Sequence, residues 1–145
     1  MRPAAFPRTA RSSKRSGRRS RAAAAGAAAA TVWGLQEPLD QWFFRCDYSD
    51  IALLGKAFTR GPGWRVAGFA IHALNGAIFG LAFDELRRRV RVDSRKLAVA
   101  AALGEHLALY PLFYLVDRRL FKSPRAFAQE TWRHALFGYI LGRLA

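Results

Sequence analysis

Five polar side chains of this sequence have the types and the spacing that chemistry requires. His72, Asn75, Glu105, His106 and His134 each lie near the centre of an otherwise apolar stretch. If these stretches cross a membrane, all five lie near the midplane of the bilayer. A charge at that depth costs about 2.5–3.5 kcal/mol, so such residues face the bundle interior and pair with one another. We therefore predict one polar cluster in which Glu105 either accepts a hydrogen bond from His72 or His134, or stays protonated because it is removed from water.

Three functions are open to such a cluster. The interpretation we favour is a structural or interaction membrane protein, in which hydrogen bonds specify which helices meet. The alternative is a proton or small-solute transporter. A metal or catalytic site has suitable ligand chemistry in His72, His134, Glu105 and Glu130. However, di-iron bundles use two Glu-x-x-His pairs, whereas this chain has Glu130-x-x-x-His134 and an adjacent Glu105-His106. We expect no catalytic residues, no metal and no cofactor.

Four apolar stretches must position these residues. They predict helices over residues 22–44, 64–86, 96–116 and 124–144. Residues 66–83 carry no formal charge and residues 97–116 carry one acid, lengths that suffice to cross about 30 Å of hydrocarbon. Soluble helices have a polar face, which these two stretches lack. The sequence therefore predicts an all-α fold, with residues 22–145 forming an integral membrane four-helix bundle.

The charge of the chain is concentrated before the first helix. Residues 1–21 contain eight Lys and Arg and no acid, out of a formal net charge of +14. We predict a disordered basic tail that contacts anionic lipid; a nucleic-acid arm, which we do not favour, and a cleaved targeting peptide are the alternatives. The two termini and residues 84–96 carry fifteen basic residues, against eight in the other connections. This asymmetry predicts an inner-membrane, multi-pass protein with both termini in the cytoplasm.

Two segments of the chain repeat one pattern. Residues 72–80, HALNGAIFG, and residues 134–142, HALFGYILG, are identical at six of nine positions. The repeat indicates duplication of a two-helix unit, which gives parallel repeats. Its spacing also places glycines on one face of the second and fourth helices, where they let helices approach closely. These predicted packing residues are Gly68, Gly76, Gly80, Gly138 and Gly142. Glu130 and Arg133 are predicted to pair at i, i+3 near the outer side, and a homo-oligomer is a further possibility.

Several segments together carry a resemblance to a known group of proteins. They are the basic tail, WGLQEPLD at 33–40, HALNGAIFG and ETWRHALFG at 130–138. Over roughly residues 30–145 the chain resembles small, uncharacterised bacterial inner-membrane proteins with four helices. The resemblance implies a location and a fold, and it implies no activity.

Overall fold

The chain folds into helices throughout the part that the structure describes. A computed structural model describes residues 8–112 and 118–145. Within these ranges it describes the side chains from residue 15 onward, except that of Leu120. The described chain is all-α. Its four long helices are α1 (Arg8–Phe44), α3 (Trp64–Leu86), α4 (Ser94–Leu109) and α6 (Pro124–Leu144). Two shorter helices, α2 (Asp50–Phe58) and α5 (Arg118–Phe121), and a 3-10 turn at Tyr110–Leu112 lie between them.

Side-chain caps begin three of the helices. The Ser49 hydroxyl accepts a hydrogen bond from the Ala52 N–H at the start of α2, and Ser123 does the same for Ala126 in α6. Both helices therefore begin with a serine N-cap, a residue type that is favoured at this position. Asp93 caps α4, and its hydrogen bonds from backbone N–H groups, that of Lys96 above all, hold the pKa of its carboxyl below the usual value.

The first helix begins earlier than the sequence predicts. Residues 1–7 of the predicted disordered tail lie outside the described residues, and from Arg8 the chain is helical. Over residues 15–21 the prediction of disorder is wrong. Arginine is a good helix former, and Arg18 forms an ion pair with the buried Asp84 of α3 at 3.2 Å. This contact and the alanine run that follows extend α1 toward the N-terminus.

The third long helix ends earlier than the sequence predicts. It was expected to span residues 96–116, but α4 ends at Leu109 and a 3-10 turn follows. Pro111 explains the end of the helix, because proline supplies no N–H to continue the helical hydrogen bonds and its ring clashes with the carbonyl group four residues earlier. Residues 113–117 lie outside the described residues.

The long helices pack in the order α3, α1, α6, α4. Helix α1 packs against both α3 and α6, α4 packs against α6, and α2 packs on α3. The Arg18–Asp84 pair joins the start of α1 to the end of α3. Arg87, just after α3, donates to the carbonyl oxygen of Ala145 at 3.4 Å. The start of α1, the end of α3 and the C-terminus therefore lie at one end of the bundle.

Glycines lie at the close approaches of α1 to α3, of α2 to α3 and of α4 to α6. A Cβ added at Gly76 would lie 2.5 Å from the Gly26 carbonyl oxygen of α1, and Gly80 faces the backbone of Ala22. In the second half, a Cβ at Gly138 or Gly142 would lie 2.6 Å from a Cα atom of α4. Gly68 instead faces the Ile51 carbonyl oxygen of α2. Each of the five glycines singled out from the sequence thus lies against the backbone of another helix.

Polar groups are concentrated inside the bundle and large apolar groups outside it. Arg133, His106, Gln129, Glu130 and Asp84 are among the largest fully buried side chains. Large apolar side chains are exposed along the outer faces, including Leu35 (67%), Leu39 (70%), Trp42 (80%), Phe43 (71%) and Val66 (76%). Among the described residues, α3 is the one helix that is long and apolar enough to cross a membrane.

Candidate functional site

All five residues of the predicted polar cluster line a single cavity. This central cavity has a volume of about 210 Å³ and is open on one side, and Asn75 in its wall is exposed. Helix α3 contributes His72 and Asn75, α4 contributes Glu105 and His106, and α6 contributes His134. Each of the four long helices, and α2 as well, supplies part of the wall. The sequence therefore located the residues of this site, although it did not predict that they would surround a space.

Trp33 of α1 lies between the two histidines that the repeat makes equivalent. Its ring meets the ring of His72 at a centroid distance of 5.0 Å and the ring of His134 at 4.7 Å, both edge to face. His134 also lies 4.8 Å from His106, measured between ring centroids. Trp33 therefore fixes the positions of two histidines at once, a role that the sequence analysis did not assign to it.

The hydrogen bonds of two histidines define which ring nitrogen carries the proton. His134 Nδ1 lies 2.8 Å from the Glu130 carbonyl oxygen, which only accepts, so Nδ1–H donates and Nε2 keeps a lone pair. The Thr131 hydroxyl donates to the Phe127 carbonyl oxygen at 2.8 Å. It must therefore accept from His106 Nε2–H at 3.1 Å, which leaves the lone pair on His106 Nδ1.

Several polar atoms at the cavity have no protein partner. His72 Nε2, His106 Nδ1 and Trp33 Nε1 are buried without a hydrogen bond. Glu105 makes no hydrogen bond or ion pair with any other residue that the structure describes. Of the two predicted states of Glu105, the hydrogen bond from His72 or His134 is therefore not formed. His134 bonds instead to the backbone of its own helix, and the cavity lies between Glu105 and the histidine of α3.

A second polar cluster, which we term the Arg133 network, lies beside the cavity. The Arg133 guanidinium binds both Asp40 oxygens, each at 2.7 Å. Its Nη1 donates to Glu130 at 3.0 Å and to Asp50 at 3.1 Å, and its Nη2 donates to the Tyr48 carbonyl oxygen at 3.1 Å. All five N–H groups of Arg133 therefore have an acceptor. The predicted Glu130–Arg133 pair is present, but it belongs to a larger network in which Arg133, Asp40 and Glu130 are buried and Asp50 is partly exposed.

The network ties the loop after α1 to the bundle. Arg45 has a φ of 51°, and this left-handed residue ends α1 and turns the chain back toward it. Glu37 then accepts from the Ser49 hydroxyl at 2.6 Å and from the Asp50 N–H at 3.0 Å. Burial and the Asp50 carboxylate raise the pKa of the Tyr48 hydroxyl, which stays protonated and donates to Asp50 at 2.7 Å.

The network contains more acid than base. One guanidinium serves Asp40, Asp50 and Glu130, with Glu37 at 3.8 Å from it. Asp50 and Glu130 also line the central cavity, and Glu105 lies in its wall. Among the described residues that form the wall, no Lys or Arg is present to oppose these three carboxyl groups. If the carboxyl groups are ionised, the cavity has a negative potential.

A group of metal-ligating side chains, or a similar protein of known function, would connect this site with a known chemistry. Within residues 8–112 and 118–145, no three His, Cys, Asp or Glu side chains come together in a way that could hold a metal ion. Comparison with family models, with characterised proteins and with solved structures gives no similarity to report.

The Arg133 network was the functional feature that sequence reasoning missed. Its signal was present, because Glu37, Asp40 and Gln129 interrupt apolar stretches just as the five cluster residues do. Asp50 and Tyr48 lie in a polar connection and carry no such signal. Their role depends on the left-handed turn at Arg45, which an arginine in the sequence does not predict.

Proposed function

We propose that the chain is a multi-pass integral membrane protein of the inner membrane, with four spanning helices and both termini in the cytoplasm. The observation that carries this proposal is the distribution of side chains. A soluble domain buries few charged residues and exposes few contiguous apolar ones. Here Arg133 and Glu130 are buried, whereas Leu39 and Trp42 are exposed. This arrangement suits a hydrocarbon solvent, in which polar groups pair inside the bundle.

The low overall hydropathy of α1 and α6 is compatible with spanning. The basic residues that lower it lie before Ala22 in α1 and near the two ends of α6, at Arg125 and Arg143. The polar residues within the apolar stretches, Glu37, Asp40, Gln129, Glu130 and Arg133, are buried in the bundle. The lipid would meet Val32, Leu35, Leu39 and Leu144 instead. Length and composition are the same for a helix whose charges face lipid and for one whose charges face a neighbouring helix. For α1 and α6 this difference determines the free-energy cost of insertion into the membrane.

Equivalent contacts in the two halves support a duplicated two-helix unit. Gly76 of α3 packs against the backbone of the preceding long helix α1, and Gly138 of α6 packs against that of its preceding helix α4. The equivalent histidines, His72 and His134, both contact Trp33. We therefore retain two parallel repeats as part of the proposal, together with the resemblance to small four-helix inner-membrane proteins.

We further propose that the central cavity admits a small polar solute, as a transport protein requires. Buried polar groups that serve only to join helices are expected to be satisfied by one another. Arg133 meets this expectation, since each of its N–H groups has an acceptor, although Oε1 of Gln129, whose Nε2 donates to Asp40, has no partner. His72 Nε2, His106 Nδ1 and Glu105 do not meet it. The hydrogen bonds of Arg133 therefore favour a structural role for the Arg133 network. The unpartnered polar atoms at the cavity favour a role in binding a solute.

Anionic lipid is the partner that we propose for the basic end of the bundle. Arg87, Arg88, Arg89, Arg91 and Arg95 follow α3 or begin α4, at the end where α1 starts. Asp84 and Glu85 neutralise part of this charge. The remaining exposed arginines would lie at the level of the lipid headgroups on the cytoplasmic side, where anionic lipids attract basic segments.

Reporter fusions are expected to divide the chain into two sides. Fusions at Ser20, Arg91 and Ala145 should report the cytoplasm, and fusions at Gly61 and Lys122 should report the outside, because four spans return the chain to its starting side. Paired reporters that are active only inside or only outside the membrane measure this. A cytoplasmic signal at Gly61 would contradict the topology.

Cysteine labelling is expected to separate a wet cavity from a lipid-facing surface. In a Cys46→Ser background, Asn75→Cys should react with a charged methanethiosulfonate reagent, because thiolate forms only in contact with water. Leu74→Cys is the matched control, because Leu74 is its neighbour on α3 and is 59% exposed on the outer face. In vesicles Leu74→Cys should react at least about tenfold more slowly than Asn75→Cys.

The same two variants distinguish the failures of the proposal. Fast reaction of Leu74→Cys would mean that the outer face meets water, and the membrane assignment would be wrong. Slow reaction of both variants would mean that the cavity is dry or closed, and the role in solute passage would be wrong.

A further inference from the structure

We propose that the ligand of the central cavity is a small protonated amine. This inference rests on the proposed function, since it assumes that the cavity admits a solute from water. It concerns the chemical class of that solute. Four properties of the wall carry it: the sign of its charge, the kind of unpartnered polar atoms, the aromatic rings and the size of the space.

The charge of the wall favours a cation. Asp50, Glu105 and Glu130 line the cavity. Arg133 binds Asp50 and Glu130 from behind, but it is shared with Asp40 and Glu37, so it offsets only part of their charge. Glu105 has no cationic partner among the described residues. A positively charged ligand would supply the missing partner for Glu105.

The unpartnered atoms favour a ligand that donates hydrogen bonds. His106 Nδ1 carries a lone pair, as its Nε2–H is committed to Thr131. His134 Nε2 also carries a lone pair, because Nδ1–H of the same ring donates to the Glu130 carbonyl oxygen. With the carboxylate of Glu105 these atoms form a set of acceptors, and an ammonium group is a donor-only cation with several N–H groups. Two donors at the cavity are also unpartnered, Trp33 Nε1–H and the imidazole N–H of His72, and either can donate to an acceptor such as a hydroxyl oxygen.

The aromatic residues favour an organic cation over a metal ion. Trp33, Phe79, Tyr110 and Phe137 line the same cavity as the carboxylates. Aromatic faces attract ammonium groups and pack against their carbon atoms. A metal ion instead needs several ligands that converge on one point, and the described His, Cys, Asp and Glu side chains offer no such group of three. A volume of about 210 Å³ is below that of pockets for drug-sized ligands, about 300–1,000 Å³, so the amine must be small.

Calorimetric titration of the purified full-length protein in detergent tests this inference. Ethylammonium chloride and 2-hydroxyethylammonium chloride are the probes, and propan-1-ol is the neutral compound of similar size. We expect saturable binding of at least one ammonium probe with a stoichiometry of one per chain. We expect no binding of propan-1-ol, because it cannot pair with Glu105. Sodium chloride at the same ionic strength controls for a general salt effect.

A pair of variants locates the binding. Glu105→Gln should raise the dissociation constant of the ammonium probe at least about tenfold, since it removes the charge while keeping the size of the side chain. The fold should survive, because Glu105 has no partner to lose. Glu85→Gln is the matched control, since Glu85 is an exposed acid at the cytoplasmic end of α3, and it should leave the dissociation constant unchanged.

Each outcome has a defined meaning. Absence of saturable ammonium binding by folded wild type at millimolar concentrations, equal binding of propan-1-ol, or equal binding by wild type and Glu105→Gln would each overturn the inference. The comparison of charged and neutral probes needs only wild type, so it stands even if a variant fails to fold. If Asn75→Cys is labelled quickly in vesicles and ammonium still does not bind, the solute cavity survives and only its assignment to amines fails.

Discussion

Replacement of Arg133 by methionine is expected to cause a large loss of folded protein and a much lower melting temperature. The substitution removes the only cation of the Arg133 network and leaves Asp40, Asp50 and Glu130 buried without it. Removing one partner of a buried ion pair costs about 3–5 kcal/mol, a large part of the total stability of a small domain. The yield of monodisperse protein in size-exclusion chromatography and the melting temperature measure the loss.

A conservative replacement at the same position separates charge from geometry. Arg133→Lys keeps the positive charge, but lysine has three donors where the site uses five, and it cannot bind both Asp40 oxygens in a planar fork. We expect Arg133→Lys to lie well below wild type in melting temperature, although above Arg133→Met. Arg143→Met is the control, because Arg143 is exposed on the same helix, and it should melt as wild type does. Wild-type stability of Arg133→Met would mean that the network is not a structural requirement.

The sequence predicted the elements of this fold better than the contacts between them. The bounds of α3 and α6 follow from a capping serine, a glycine-proline turn and the length of an apolar stretch, which are all local signals. The early end of α4 also had a local signal, Pro111, which a count of apolar residues passes over. The early start of α1 had no local signal in the sequence, because Arg18 becomes ordered through its ion pair with Asp84, a residue far away in the chain.

In the candidate site, too, the sequence predicted the residues better than the contacts between them. An apolar stretch makes each isolated polar residue conspicuous, so His72, Glu105 and His134 could be selected without coordinates. Whether they touch depends on the separation between α3 and α4, which is set by how α1 and α6 pack between them. The sequence contains no local signal for that separation. The expected hydrogen bonds to Glu105 were for this reason replaced by a cavity.

Replacement of Gly76 by alanine is expected to be the second most damaging change, although it adds a single methyl group. The new Cβ would lie 2.5 Å from the Gly26 carbonyl oxygen and 2.5 Å from the Ala30 Cβ, both on α1. A carbonyl oxygen cannot rotate away as a long side chain can, so α1 and α3 must move apart. Overpacking of this kind costs about 1–3 kcal/mol, and we expect a lower melting temperature in detergent and a lower folded yield.

Gly104→Ala is the matched control for this prediction. Gly104 lies inside α4, and a Cβ added there meets nothing within 4 Å. Alanine at that position should leave the melting temperature unchanged or raise it, because alanine has a higher helix propensity than glycine. Gly138→Ala should behave as Gly76→Ala does, since its Cβ would lie 2.6 Å from the Val99 Cα. If Gly76→Ala and Gly138→Ala have the same melting temperature as Gly104→Ala, the helices are not in backbone contact. If only one of them is destabilised, the two halves pack differently despite their common HALxGxIxG pattern.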